Sequence, residues 1–313
     1  MKLFLGVDGG QSSTTALIGD ETGRVVGIGR GGPVDHVGSP EGRATFLNAL
    51  SVSVGEAQLA ATTAGTEFEA ACLGFSGGPA NKEDLTREVV KASHYFITHD
   101  ALIALQGATG GEPGVVVISG TGSIAFGRNA EGKTARAGGW GYIFGDEGGA
   151  FDLVRQALRA SLQLEEGWGA PTQLREALLK ETGAQSANDL LHRFYTAEYP
   201  RSRVAALAKV VEETAAQGDE PAGLLLAIAA HSLGTLAASV RKQLFVEHTP
   251  VLVSYAGGLF KNARVLTRFR LLVELEEGGQ LVAPKFGPAA GALLEAYRIA
   301  GVQCSLKGAP EEK

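Results

Sequence analysis

The chain opens with three short apolar runs, at residues 3–7, 14–18 and 25–28. Turn-forming residues separate them, with Asp8-Gly9-Gly10 after the first run and a hairpin-type turn at residues 20–23 after the second. Apolar runs of this length bounded by glycine and aspartate turns are typical of β-strands. The pattern therefore predicts a three-stranded meander at the start of the chain.

The same pattern returns roughly 110 residues later. Apolar runs at residues 115–118 and 124–127 flank a second glycine turn, and a hairpin-type turn follows at residues 129–132. Asp8 then corresponds to Ser119 and Gly23 to Gly132, at a nearly constant interval. A repeated unit of this size predicts two structurally duplicated domains.

Strand-like and helix-like segments alternate through the rest of the chain, which predicts an α/β fold. The two domains are expected at residues 1–110 and 111–313, with the glycine-rich stretch 107–114 as the join, a helical insertion in the larger second domain, and the final helix packed back onto the first. The predicted segments are a helix at 40–64, a strand at 70–75, a helix at 81–93, a strand at 95–98, a helix from Ala101, mainly helix from 149 to 247 with breaks at 166–171 and 199–200, a strand at 251–255, a helix after Asn262 and a helix at 288–300.

Net charge and the lengths of the apolar runs argue against nucleic acid and membrane as partners. The 313 residues include 28 Lys and Arg against 34 Asp and Glu, a net charge of −6, with no basic run, so an electrostatic grip on nucleic acid is not expected. The apolar run at the N-terminus is too short for a signal peptide, and the run at 222–230 is too short to span a bilayer. We therefore expect a cytoplasmic protein with a small-molecule partner and no membrane contact.

The cysteines and histidines give no metal-ligand pattern. Cys72 and Cys304 are far apart, and the six histidines form no pair at ligand spacing. We interpret the two cysteines as buried apolar residues. The 44 glycines are about twice the usual ~7% of a protein, without a collagen-like period, and indicate many tight turns.

Both glycine turns can bring backbone N–H groups close to phosphate oxygens, because glycine has no Cβ to block the approach. The first runs from Asp8 through Gln11, Ser12 and Ser13, and the second is Ser119-Gly120-Thr121-Gly122-Ser123. Each would also suit a plain hairpin turn. Neither is a Walker loop or a dinucleotide fingerprint, because a strand follows each turn. Two such turns, one per domain, predict a polyphosphate held from two sides.

Five segments, in order across nearly the whole chain, resemble the sugar kinase, heat-shock protein and actin superfamily, and within it the BadF/BadG/BcrA/BcrD-type ATPases with their N-acetylglucosamine kinase-like branch. The resemblance implies a duplicated actin-like (ribonuclease H-like) ATPase fold, with two domains around a central cleft. The segments are Gly6-Val7-Asp8-Gly9-Gly10, Thr98-His99-Asp100-Ala101, Ile118-Ser119-Gly120-Thr121-Gly122-Ser123, Gly138-Gly139-Trp140-Gly141 through Gly145-Asp146-Glu147-Gly148-Gly149-Ala150, and Ala256-Gly257-Gly258-Leu259-Phe260-Lys261-Asn262.

The resemblance implies ATP as a substrate, with Mg²⁺ on its phosphates near Asp8, held through water. Asp8 alone would equally suit a turn residue that bonds its own backbone. Ala205 alone is a core helix position, and Ser12 and Thr121 could cap their own turns. The ATP-binding positions that the resemblance implies are Asp8, Gly9, Gly10, Gln11, Ser12, Ser13, Gly120, Thr121, Gly122, Ala205, Gly257, Gly258, Lys261 and Asn262.

For the acceptor, the resemblance implies that Asp100 is the general base that bonds the attacking sugar hydroxyl. On its own, Asp100 reads as a helix N-cap. Asp146 and Glu147 would on their own favour the N-terminus of the helix near Gly149. The implied sugar-binding positions are Asp35, Asp100, Gly139, Trp140, Asp146 and Glu147.

Asp35 departs from the family pattern, in which asparagine is common at this position. An ionised aspartate only accepts hydrogen bonds, which favours the hypothesis of an unacetylated hexosamine or a plain hexose as acceptor. The predicted function is ATP-dependent phosphorylation of the 6-hydroxyl of N-acetylglucosamine or a related amino sugar or hexose, by a homodimer. The alternative is a BadF-type ATPase that acts as an activator or nucleotide sensor of a partner protein and does not phosphorylate sugar.

Overall fold

The computed structural model describes residues 2–34 and 37–310. The chain forms two compact units, one of Met1–Val116 with Val282–Lys313 and one of Val117–Leu281. These limits differ from the expected 1–110 and 111–313. The junction lies inside a strand rather than in the glycine-rich stretch before it. The final helix packs on the first unit, where it is expected, and the whole segment from Val282 belongs to that unit.

The first unit contains a five-stranded mixed sheet with the order β3-β2-β1-β4-β5. The first three strands are the predicted antiparallel meander, and β4 and β5 run parallel to β1. Its elements are β1 (Leu3–Gly9), β2 (Thr14–Asp20), β3 (Val25–Gly31), α1 (Pro40–Ala60), β4 (Phe68–Phe75), α2 (Glu83–Val89), β5 (Ala92–His99), α3 (Asp100–Thr109) and the last helix, α11 (Pro288–Ile299).

Strand β1 is buried on both faces, which explains its continuous apolar run. Leu5 belongs to the core cluster that includes Phe46 and Leu50 of α1. Phe4 points the other way and stacks on Tyr297 of α11, with ring centroids 4.4 Å apart. A strand with helices on both faces needs apolar residues at consecutive positions rather than at alternate ones.

The second unit repeats this topology, with the sheet order β10-β9-β6-β7-β8. Read from the meander edge, the two orders are the same, which confirms the α/β class and the duplication. The elements are β6 (Gly114–Ser119), β7 (Ser123–Arg128), β8 (Thr134–Gly138), α4 (Ala150–Glu165), α5 (Leu174–Thr182), α6 (Ala187–Arg193), α7 (Arg201–Ala206), α8 (Ala208–Ala216), α9 (Glu220–Leu244), β9 (Val251–Ala256), a 3-10 turn (Gly258–Lys261), α10 (Ala263–Leu275) and β10 (Gly279–Leu281).

Several local expectations differ from the structure. The helix expected at 81–93 is only Glu83–Val89, because Asn81 adopts a left-handed φ of 60° and β5 already begins at Ala92. Cys72 is buried as expected, but Cys304 is only partly buried. The apolar run at 222–230 belongs to the longer α9, and among the described residues this one helix has the length and composition to cross a membrane. It packs against α10, β7 and β8 within the second unit.

Candidate active site

The first glycine turn lies at the carboxyl end of β1. The Gly10 N–H donates to the Ser13 carbonyl oxygen at 2.9 Å, and the Val34 N–H donates to the Gly10 oxygen at 2.9 Å. Gln11, Ser12 and Ser13 are exposed. Asp8 and Gly9 still belong to β1 and face Thr15 and Thr14 of β2. The turn is therefore closed by its own backbone and presents its three polar residues to solvent.

Asp100 lies at the same edge of this sheet. Gly9 of β1 pairs with Phe75 of β4, and Phe75 pairs with His99 of β5, directly before Asp100. Two strand spacings of about 4.8 Å separate these backbone positions by about 10 Å. The Ser76 N–H also donates to the Gly9 oxygen at 3.0 Å. The parallel pairing thus places the expected base beside the expected phosphate turn, within one unit.

The helix cap beside Asp100 is His99 rather than Asp100. The His99 Nδ1 accepts from the Leu102 N–H at 3.3 Å, and Asp100 is the first residue of α3. The Asp100 Oδ1 accepts from the Ala101 N–H at 2.8 Å. Asp100 is partly exposed, and the cap of the helix is supplied by His99 instead.

Lys82 is a buried cation near Asp100 that the sequence did not single out. Only 3% of the residue is exposed, and its Nζ donates to the Gly78 carbonyl oxygen at 2.6 Å. Burial lowers the pKa of Lys82, and the charge of Asp100 works in the opposite direction. Lys82 stands in a polar segment, Asn81-Lys82-Glu83, so nothing in the local pattern indicates burial.

The second glycine turn is tied to the loop at residues 138–149 of the second unit. The Ser119 Oγ donates to the Gly148 oxygen and the Ser123 Oγ to the Glu147 oxygen, each at 2.7 Å. The Ala150 N–H donates to the Gly120 oxygen at 2.9 Å. The expected phosphate turn and the expected sugar loop are therefore one connected structure.

Asp146 lies against the second turn. A Cβ placed on Gly122 would overlap the Asp146 carboxylate, so only glycine permits this approach. Asp146 is 5% exposed and has a left-handed φ of 65°. Its Oδ2 accepts from the Arg201 Nη2 at 3.1 Å. Such a backbone conformation is uncommon for a residue other than glycine and is frequent at functional sites.

The other expected sugar residues are more open. Gly139, Trp140 and Glu147 are exposed, and Trp140 has the Arg136 guanidinium 4.6 Å from its ring centroid. Asp35 lies outside the described residues.

Gly257 brings a third loop to the second turn. Its φ is 101°, and a Cβ there would overlap the Ser119 carbonyl oxygen. Gly258 begins the 3-10 turn, and a Cβ there would meet no atom within 4 Å. Lys261 is exposed. The expected ATP-binding turn at Gly257 and the expected phosphate turn are thus in backbone contact.

Two residues expected to bind the nucleotide, Asn262 and Ala205, contribute to helix capping and to the buried core of the second unit. The Asn262 Oδ1 accepts from the Arg264 and Val265 N–H groups and caps α10, while its Nδ2 donates to the Glu212 Oε2 at 3.0 Å. Ala205 is 7% exposed within α7. The structure therefore uses the Asn262 side chain as a helix cap and buries Ala205 in the second unit.

Comparison with known proteins places these features in a family context. The model of the BadF/BadG/BcrA/BcrD ATPase family matches residues 5–296. An N-acetylmuramic acid/N-acetylglucosamine kinase from Clostridium acetobutylicum is 31% identical over 281 residues, covering 88% of this chain and 91% of that protein. An N-acetyl-D-glucosamine kinase from Dictyostelium discoideum is 28% identical over 311 residues, covering 94% and 97%. A solved structure from Chromobacterium violaceum, described as an N-acetylglucosamine kinase, has a TM-score of 0.76 and 26% identity, covering 94% of this chain and 98% of that one.

Proposed function

Since the chain belongs to the BadF/BadG/BcrA/BcrD ATPase family, we propose that it is an ATP-dependent sugar kinase that phosphorylates the 6-hydroxyl of N-acetylglucosamine or a related amino sugar or hexose. The sugar kinases named in the comparison, which align with almost the whole chain, support this proposal. The resemblance also supports a homodimer that acts in the cytoplasm.

One observation carries the proposal. In the second unit, the turn at Gly120 and Gly122 contacts a buried carboxylate, Asp146, and the glycine turn at Gly257. A carboxylate binds sugar hydroxyls because it can only accept hydrogen bonds. Glycine turns bind phosphate or adenosine because their backbone can approach closely. A sugar kinase needs these two kinds of contact side by side, one for the acceptor and one for the nucleotide.

The nucleotide would be bound as its magnesium complex. Within residues 2–34 and 37–310, no group of three or more His, Cys, Asp and Glu residues could hold a metal ion. A single carboxylate at a phosphate turn fits a magnesium ion that arrives on the nucleotide and keeps its water ligands. We assign this carboxylate to Asp8. The nucleotide contacts are assigned to Gly9, Gly10, Gln11, Ser12, Ser13, Gly120, Thr121, Gly122, Ala205, Gly257, Gly258, Lys261 and Asn262.

Asp100 would serve the acceptor hydroxyl. In the transfer, a bond forms between the sugar 6-oxygen and the γ-phosphorus while the bond from that phosphorus to the β,γ-bridging oxygen breaks, which gives sugar 6-phosphate and ADP. Because this transition state is loose, the carboxylate mainly orients the hydroxyl and takes its proton late. Asp146, Glu147, Gly139, Trp140 and Asp35 would bind the remainder of the sugar.

The test is ADP release by the purified protein with ATP, Mg²⁺ and a panel of N-acetylglucosamine, glucosamine, N-acetylmuramate and glucose. We expect sugar-dependent release and a 6-phosphate product. Release that is independent of every sugar would instead identify an ATPase, and absence of release would overturn the proposal. The aspartate at position 35 favours glucosamine or glucose, and a clear kcat/KM preference for the N-acetyl sugar would contradict that part.

A further inference from the structure

The geometry points to Arg201 as a positioning residue for sugar recognition, which holds the Asp146 carboxylate in the orientation that accepts the sugar hydroxyls. This inference rests on the proposed function, in which Asp146 binds the sugar. Neither Arg201 nor its contact with Asp146 follows from the local sequence, because 55 positions separate the two residues.

The first step is that Asp146 needs a fixed partner. Its side chain is 7% exposed, and its Oδ2 lies 3.1 Å from the Arg201 Nη2. A buried carboxylate without a partner is strongly destabilising. The left-handed backbone at Asp146 aims the side chain toward Gly122, whose missing Cβ leaves room for the carboxylate. The carboxylate is thus confined by Gly122 on one side and bonded by Arg201.

The second step is that Arg201 is itself held in place. Its guanidinium carbon lies 4.7 Å from the Tyr142 ring centroid and 5.8 Å from that of Phe151. The two rings pack edge to face, with centroids 5.2 Å apart. The Tyr142 carbonyl oxygen accepts from the Arg155 Nη1 at 3.2 Å, which fixes the loop to α4. A planar guanidinium stacks on such rings, whereas an ammonium on a flexible stem does not.

The third step concerns what remains for a ligand. An ionised carboxylate has about four lone-pair sites on its two oxygens. Arg201 bonds one oxygen, Oδ2, and so fixes the direction of the other sites. Sugar hydroxyls that donate to the carboxylate then meet acceptors in a set geometry. Without Arg201 the carboxylate would lose this direction. The second glycine turn is held by backbone bonds that do not involve the Asp146 side chain, from the Gly120 N–H to the Gly122 oxygen at 3.0 Å and from the Ala150 N–H to the Gly120 oxygen at 2.9 Å. Removing Arg201 should therefore lower the affinity for sugar and leave the affinity for ATP unchanged.

The experiment compares Arg201→Met and Arg201→Lys with Arg203→Met in steady-state kinetics, varying sugar at saturating ATP and ATP at saturating sugar. Arg203 is a matched control, because it lies on the same helix, stacks on Tyr199 at 4.2 Å and pairs with Glu198 at 3.5 Å. We expect Arg201→Met to raise the KM for sugar at least tenfold, with the KM for ATP within twofold of wild type. Arg201→Lys should recover part of the loss, and Arg203→Met should leave both constants unchanged.

A second comparison separates positioning from a general structural role. Asp146→Asn alone should raise the KM for sugar, and adding Arg201→Met to it should change that constant by less than twofold, because the arginine acts through the carboxylate. Independent, multiplying effects would overturn the inference. A wild-type KM for sugar in Arg201→Met would also overturn the inference. If Arg201→Met does not fold, the same result in Arg201→Lys would overturn it. Wild-type protein that shows no sugar-dependent turnover would instead overturn the proposed function, and the inference with it.

Discussion

Replacing Gly122 by alanine tests the contact on which the candidate site depends. An alanine Cβ at this position would lie 2.5 Å from the Asp146 Cγ and 2.8 Å from its Oδ1. Ordinary contacts between such atoms are about 3.5 Å, so the carboxylate must move by about 0.7–1 Å. The movement is opposed by the bond to Arg201 at 3.1 Å. Gly122→Ala therefore perturbs the Asp146 carboxylate without changing its chemistry.

Two magnitudes follow from this displacement. Overpacking a well-filled site costs about 1–3 kcal/mol of unfolding free energy, which corresponds to a fall in Tm of about 2–4 °C per kcal/mol for a unit of this size. A misplacement of about 1 Å at a site that positions substrate costs about 10²-fold in activity. We expect the KM for sugar to rise by about 10- to 100-fold in Gly122→Ala. The measurements are coupled ADP release against sugar concentration and Tm by calorimetry.

Gly120→Ala is the matched control, because it lies in the same turn and its Cβ would meet no atom within 4 Å. It should keep the wild-type Tm and KM for sugar. If the backbone at Gly120 approaches phosphate, its KM for ATP should rise. Wild-type Tm and KM for sugar in Gly122→Ala would refute the reasoning, because they would mean that the Asp146 carboxylate turns away from Gly122 freely and is not held as the structure has it.

Two further predictions concern Asp100 and Tyr297. Asp100→Asn should lower kcat by about 10²-fold or more with little change in the KM for sugar, measured by ADP release, and a near-normal kcat would remove Asp100 from the role of base. Burial raises the pKa of the Tyr297 phenol. Its hydroxyl donates a hydrogen bond to the backbone carbonyl oxygen of Asp20 at 2.7 Å. Above about pH 10 the unfolded chain loses this proton while the folded chain keeps it, so stability falls as pH rises. Tyr297→Phe cannot ionise and should show a shallower fall of Tm with alkaline pH, and equal slopes would contradict this.

The duplicated sheet could be predicted from the sequence because its signal is local. A continuous apolar run such as residues 3–7 is what a strand buried on both faces requires. Leu5 of β1 belongs to the core cluster with Phe46 and Leu50 of α1, and β1 also packs against α11. The second meander repeats the same local pattern at residues 115–118 and 124–127. Burial and turn chemistry repeated at a fixed interval were sufficient for the fold class, since both are properties of neighbouring residues.

The contacts that define the candidate site could not be predicted in this way. Arg201 and Asp146 meet because α7 packs on α4, whose N-terminus carries the loop. Lys82 is buried directly after a segment in which Gly77, Gly78 and Asn81 have left-handed conformations, which no periodicity shows. Residue preference alone offers Asp100 as the cap of α3, yet His99 supplies it. Each of these depends on where a distant or strained segment lies, and sequence spacing carries little information on that.

The two units place their acids in different surroundings, and this difference fits the different tasks that we propose for them. Asp146 is buried, paired with Arg201 and confined by Gly122. A carboxylate held in this way suits recognition, because its lone pairs keep a fixed direction. Asp100 is partly exposed, its Oδ1 accepts from the Ala101 N–H, and within residues 2–34 and 37–310 no hydrogen bond to its Oδ2 is found. An accessible oxygen is what a proton acceptor needs. The same logic predicts opposite kinetic signatures: loss of Asp146 should appear in the KM for sugar, and loss of Asp100 in kcat.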